Sequence, residues 1–294
     1  MALTSSSWRT ALQLGFLGGL VAIGLNLQNI EDQVALSTFT PTADLVPIIA
    51  GLQLTNSAKA MLYRAQPKLD DKAAFNADCQ TSKGELELGC YYRGRIFILR
   101  IVNPSLAPEM TAVLAHELLH VQWARLSDQS RQSLGLQLSR VYHDANDVSL
   151  NQRMASYAQT EPGEQNNELH SILGTELVAL PPSLESEYGR LFTDRSLIVK
   201  AHDQYQSVFD QRKNQLNAEL AQIQSLKGTL AQINATLAGD KAAGRYSAYN
   251  ALIPQQNSLV DRINAMISDY QTGVTEYNAL SKSLDSTELD PTVH

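Results

Sequence analysis

The carboxy-terminal third of this chain carries an apolar repeat that leaves few choices of fold. Ile198, His202, Tyr205, Phe209, Arg212 and Leu216 follow at spacings of four, three, four, three and four. Leu216, Ile223, Leu230 and Leu237 then recur every seven residues, with Leu220, Leu226 and Ile233 between them. Positions three and four apart share one helix face, and such a repeat sustained over several heptads makes a coiled-coil seam. A turn, AGDKAAGR, interrupts the pattern, and Leu259, Ile263, Met266, Tyr270, Tyr277, Leu280 and Leu284 resume it. The expected form is an antiparallel helical hairpin over 196–286, followed by a flexible tail at 287–294. Each arm of about 40 residues would extend roughly 60 Å. Pro254 is expected to kink or delay the return arm.

The other end of the chain sets its location. Thr10 to Ile30 holds no charged residue, and about 20 apolar residues span a bilayer as a helix. Arg9 precedes this stretch and Glu31 and Asp32 follow it, so the positive-inside rule leaves the amino terminus in the cytoplasm and exports the rest. The stretch is longer than a signal-peptide core and no small-x-small site follows it, which favours an uncleaved anchor over a cleaved signal. Gly15 and Gly19 form a GxxxG, a weak signal for helix pairing in a membrane. The two cysteines, Cys79 and Cys90, then face an oxidising compartment, and the glycines between them let the chain turn back into a local disulfide. A net charge of -7 without a Lys/Arg cluster argues against a nucleic-acid role, because phosphate binding needs concentrated basic surface.

Between these ends, residues 31–50 read as a linker with Pro41 and Pro47. A helix is expected from about Ser57 to Pro67, and a strand over Arg95 to Val102 that stops at Asn103-Pro104. A helix begins near Pro108, with Glu109 suited to its positive end. Residues 127–188 read as mostly helical with a loop at Thr160 to Asn167.

The helix after Pro108 contains AVLAHELLHVQWARL. His116 and His120, four apart, project together and can grip one Zn²⁺ at about 2.0–2.1 Å. Glu117 sits about 100° around the helix, where it reaches a water activated by the metal rather than the metal itself. This is the HExxH arrangement, in which the glutamate accepts the proton of the attacking water. Val113, Leu114, Leu118 and Val121 can pack the helix into a core.

On Ala115 to His120, with the upstream RIFILRI, the chain resembles the zincin metallopeptidases. The resemblance implies a substrate-pairing edge strand, whose counterpart is Arg95, Ile96, Phe97 and Ile98 onward to Ile101. The HExxHxxGxxH form is excluded, because Trp123 and Leu126 stand where its glycine and third histidine would be. The gluzincin branch fits better: Asn167-Glu168-Leu169-His170-Ser171 is similar to the N-E-x-x-S stretch of thermolysin-like enzymes. Glu168 is therefore the first choice for third ligand, Glu176 the second and His170 a further possibility. Ile172 and Leu173 stand where that branch has an Asp that orients a ligand histidine. The resemblance also implies an oxyanion donor, His or Tyr. Tyr157, Tyr188, His143 and His202 are available; Tyr188, downstream of the ligand helix, is chosen, and His202 falls on the heptad seam.

The expected protein is α+β and mostly helical. It has an anchor at 1–30, a linker at 31–50, a zincin-like domain at 51–195 with a short sheet on the HExxH helix, and the hairpin. The expected activity is peptide-bond hydrolysis with one zinc ion, on a peptide or protein substrate outside the cytoplasm. The hairpin would serve a protein partner or a homo-oligomer. A zinc amidase acting on cell-wall peptides shares this chemistry. An envelope coiled-coil scaffold with a structural or degenerate zinc site is the rival of another class, and a closed four-ligand site that includes His170 would favour it.

Overall fold

The computed structural model describes residues 28–79 and 87–285. The chain runs α1 (28–38), α2 (Leu45–Gly51), α3 (Asn56–Arg64), β1 (Lys68–Asp70), α4 (Lys72–Cys79), β2 (Gly89–Tyr92) and β3 (Arg95–Leu99). It continues through α5 (Glu109–Arg125), α6 (Asp128–Ala145), α7 (Val148–Thr160), α8 (Gln165–Glu176), α9 (Pro182–Tyr188), α10 (Ser196–Ala242) and α11 (Tyr246–Leu284). The protein is mostly helical with one small sheet and a long helical hairpin, as the sequence predicts.

Residues 31–50 are not a linker. Asp32 accepts two hydrogen bonds from Arg125 at 2.7 and 3.0 Å, which ties α1 to the end of α5. Ala35, Leu45, Ile48 and Ile49 are buried in the main core. Pro47 is tolerated because it lies in the first turn of α2, where its missing N–H has no intrahelical partner.

The strand order is β1-β3-β2, with β1 parallel and β2 antiparallel to β3. Arg93 and Gly94, both at positive φ, make the two-residue turn that joins β2 to β3. β3 is therefore the central strand. Ile96 and Ile98 face the main core with α5, whereas Phe97 and Leu99 face Phe75 and Cys79 of α4. Burial on both faces explains why β3 reads as an uninterrupted apolar run rather than an alternating one.

Helices α5 and α8 form the centre of the molecule. Glu168 to Thr175 are all buried. Gly174 allows the close approach of its neighbours: a Cβ there would lie 2.6 Å from the Tyr188 ring and 2.7 Å from Leu119. Local signals set the flanking helices. Thr55, Ser127 and Asp147 cap α3, α6 and α7 by accepting from backbone N–H groups. Asn146, left-handed at φ 46, divides α6 from α7.

The hairpin is rooted in this core. Ile198, Val199, Ala201, His202 and Tyr205, in the first turns of α10, are buried. Farther out, Ile223, Ile233 and Leu237 of α10 and Ile263 of α11 are buried along the seam, and Leu220 is instead 37 % exposed. Where Gly273 faces α10, a Cβ would sit 2.8 Å from Leu216, so the arms pack closely there. The turn is only 243–245, with Gly244 at φ 66, and α11 begins at Tyr246 and runs through the exposed Pro254 without delay. Among the described residues no helix is long and apolar enough to cross a membrane. The predicted anchor up to residue 27, with Gly15 and Gly19, and the tail 287–294 lie outside the described residues.

Candidate metal centre

Two turns of α5 and one of α8 bring three metal-ligating side chains together. His116 and His120 share one face of α5, their rings 4.7 Å apart. Glu168 enters from the opposing α8, with Oε2 3.5 Å from His116 Nε2 and Oε1 3.3 Å from His120 Nε2. One donor atom from each residue lies within 4.8 Å of the others.

The surroundings orient these ligands. Asn167 donates to Glu164 through Nδ2, so its Oδ1 faces His120 Nδ1 at 2.9 Å; Ser171 Oγ lies 3.3 Å from the same nitrogen. The hydrogen-bond pattern assigns the proton to Nδ1 and leaves the Nε2 lone pair toward Glu168. Two imidazoles and a carboxylate that converge as acceptors could hold a metal ion through three protein ligands, with a cavity at the remaining position. That cavity measures about 790 Å³ and is bordered by β2, α5, α7, α8 and the root of α10.

Glu117 lies outside the ligand triad but lines the same cavity. Burial pushes its carboxyl up to about 8; the charges of Glu168, Glu87 and Glu161 act in the same direction and His116 opposes them. A carboxylate poised near neutrality suits a general base. Burial opposes protonation of His116, but the hydrogen bond it donates to Glu168 and the charges of Glu117 and Glu168 outweigh it and raise His116 to about 9. Burial and the His116 charge lower His120. Burial alone would raise Glu168, but the hydrogen bond from His116 and both histidine charges hold it below the usual carboxylate range.

A cation must displace the proton on His116, and only the neutral imidazole binds metal. Below about 9, metal affinity is therefore expected to fall as pH falls, by about tenfold per pH unit. Calorimetric titration with zinc from pH 6.5 to 9 checks this, and heats in buffers of different ionisation enthalpy count the proton released.

The structure separates the remaining sequence-predicted residues. Glu176 is not in the triad: it accepts from Arg153 at 2.7 and 2.5 Å and faces His202 Nε2 at 3.7 Å. Eight residues along α8 carry it about 12 Å from Glu168, too far to share an ion with His116 and His120. His202 is not merely a seam residue; its Nδ1 lies 3.1 Å from Glu109, so it bridges α5 and α8 at the cavity wall. His170 points away from the site. Its ring is fully buried between Trp123 and Tyr188, and neither nitrogen has a hydrogen-bond partner among the described residues.

Tyr188 does not face the cavity. It is fully buried and donates its hydroxyl to the His170 carbonyl at 2.8 Å, which makes it a brace between α9 and α8. Tyr157 of α7 lines the site cavity, together with Tyr91 and Tyr92 of β2. Burial, reinforced by the Glu168 charge, raises the Tyr157 hydroxyl well above the usual tyrosine value, so it stays protonated and able to donate. His143 is exposed on α6.

Arg95, Ile96, Phe97 and Ile98 do not form an edge, because β3 is hydrogen-bonded to a strand on each side. The strand that borders the site is β2, Gly89–Tyr92. Its Gly89 presses on α5: a Cβ there would come 2.5 Å from Val113 Cγ1 and 2.8 Å from Glu117 Oε1. Cys90 is joined to Cys79 in the expected disulfide. Sequence reasoning quoted Asn167 and Ser171 without giving them a role, although they frame Glu168 in the N-E-x-x-S stretch. In the sequence, Glu109 has a role only at the positive end of its helix and Arg153 has none; the position of Glu109 two turns before His116, on the same face, is the sequence signal for its place at the site.

No known protein family, curated protein or solved structure matches this chain. The functional reading therefore stands on the site itself.

Proposed function

We propose that this protein is a zinc-dependent peptidase of gluzincin-like type, anchored in a membrane by its amino-terminal segment, that cleaves peptide bonds outside the cytoplasm. The observation that carries the reading is the arrival of Glu168 from a second helix opposite His116 and His120, beside a buried Glu117 in an open cavity. His116, His120 and Glu168 would hold a zinc ion, which would supply Lewis-acid chemistry toward the scissile carbonyl and the attacking water. Glu117 takes the proton of that water and passes it to the leaving amine. The Tyr157 hydroxyl donates to the carbonyl oxygen as negative charge develops on it. β2, paired with β3 on one side and bordering the cavity, replaces β3 as the strand that aligns an extended substrate.

The disulfide supports an oxidising compartment. The scaffold alternative draws on the length of α10 and α11, which suits a protein partner or self-association. The burial of His170 weighs against the closed four-ligand site that this alternative requires.

The test is zinc content per full-length chain, followed by cleavage of a peptide library that includes cell-wall peptides. Stoichiometric zinc with cleavage supports the proposal, cleavage of cell-wall peptides alone moves it to an amidase, and zinc without cleavage favours the scaffold. Within the proposal, Tyr157→Phe is expected to lower kcat by about 10²–10³-fold. Tyr188→Phe should leave kcat within about twofold and cost about 0.5–1.5 kcal/mol of stability, because the His170 carbonyl loses its donor from α9. Steady-state kinetics and thermal melts of the two variants check this pair.

A further inference from the structure

Cys90 is the second residue of a strand only four residues long. Gly89, next to it, lies against Glu117 and Val113 so closely that no side chain fits. The Cys90 sulfur crosses to Cys79, the last residue of α4, eleven positions back. The α4 residue Phe75 is fully buried against Phe97 and Leu99 on the far face of the central strand. Beyond its ladder with β3, β2 is held by the packing of Tyr91 on the main core and of Tyr92 on the Phe75 cluster; the disulfide to α4 and the contact of Gly89 with α5 are the attachments at its Glu117 end. A short strand at a sheet edge opens at low free energy unless something else holds it. Glu168, Asn167 and Ser171, which face the two histidines, all lie on α8.

We infer that the Cys79–Cys90 disulfide is a positioning element for Glu117: it holds the Gly89 backbone against that side chain, and opening it lowers turnover without releasing the metal. The turnover part of this inference rests on the peptidase reading; the packing part does not. Both cysteines border the site cavity, which gives a small reductant a route to the sulfurs. A dithiol opens the bond by two-electron exchange: the S–S bond breaks, Cys79 and Cys90 each take a proton, and the dithiol closes to its own disulfide. The proposed peptidase is then active when oxidised and attenuated when reduced.

The test compares the oxidised full-length protein with its Cys79→Ser/Cys90→Ser variant, because serines avoid the zinc chelation that dithiols bring. Expected in the variant are zinc affinity within about twofold of wild type, amide exchange of Gly89–Tyr92 faster by about tenfold or more, and loss of the Gly89 Hα–Val113 methyl nuclear Overhauser contact. With peptide substrate, kcat should fall by about 10–10²-fold with little change in KM, the cost of a misplaced catalytic group. Unchanged exchange and an intact Gly89–Val113 contact would overturn the inference, and so would unchanged kcat in a variant whose strand has loosened. If the oxidised protein cleaves nothing, the peptidase reading fails, and exchange and the Gly89–Val113 contact still decide whether the disulfide sets the packing on Glu117. If the double variant does not fold, wild type reduced by a phosphine is read by the same two spectroscopic measurements.

Discussion

Glu117→Gln is expected to keep zinc and lose activity. Glutamine matches the shape of glutamate but cannot accept a proton, so kcat should fall by about 10²–10⁴-fold. Zinc affinity should stay within about threefold, because Glu117 is not one of the three converging ligands. Stability should not fall either. Burial raises the Glu117 carboxyl to about 8, so its ionised form is disfavoured in the folded state. An Asp or Glu shifted upward costs stability as pH rises above its unfolded value, and that cost grows until the folded value is passed. The neutral amide removes this pH-dependent cost, and the variant's melting temperature relative to wild type should rise between pH 5 and 8. Kinetics, calorimetric zinc titration and melts across that range test the three parts separately. An active Glu117→Gln variant would refute the role of this carboxylate.

Glu168→Ala and Glu176→Ala should fail in opposite ways. Glu168 supplies the only carboxylate in the triad, so its removal should weaken zinc binding by more than about 100-fold, beyond the loss typical of an outer-shell group. Glu176 holds Arg153 and His202. Its removal should leave zinc affinity nearly unchanged and cost about 1–3 kcal/mol, less than a fully buried pair because Arg153 is 40 % exposed. Zinc titration and denaturant melts of both variants decide the matter. Loss of zinc in Glu176→Ala, with none in Glu168→Ala, would reassign the third ligand.

The contrast between these glutamates shows where sequence reading stopped. Both lie on α8 and both border one cavity, so helical periodicity could rank them only by resemblance. The deciding fact is how far along its axis α8 crosses α5, which is a tertiary property. The α5 helix itself was legible, because Pro108 and Glu109 mark its start and the apolar residues around His116 and His120 require burial. The hairpin was legible for the same reason: a repeat over many turns outweighs local propensity. Residues 31–50 were not, because α1 and α2 are short and depend on contacts such as Asp32 with Arg125 that lie 93 positions apart. The place of β3 was not legible either. Its second neighbour, β1, is three residues long and leaves no periodic signal, so a strand that reads correctly as a strand was placed at the wrong position in the sheet. Tyr188 was chosen by chain position, and only packing shows that its hydroxyl is engaged by His170.

The most direct test of the metal centre is zinc K-edge X-ray absorption on the full-length protein loaded with one equivalent of zinc. The account predicts one ion per chain with two imidazole nitrogens and carboxylate oxygen in its shell, at about 2.0–2.2 Å. It also predicts that the imidazole scattering is lost in His116→Ala/His120→Ala. Zinc that fails to bind stoichiometrically, or that binds with the same shell after both histidines are removed, would contradict it.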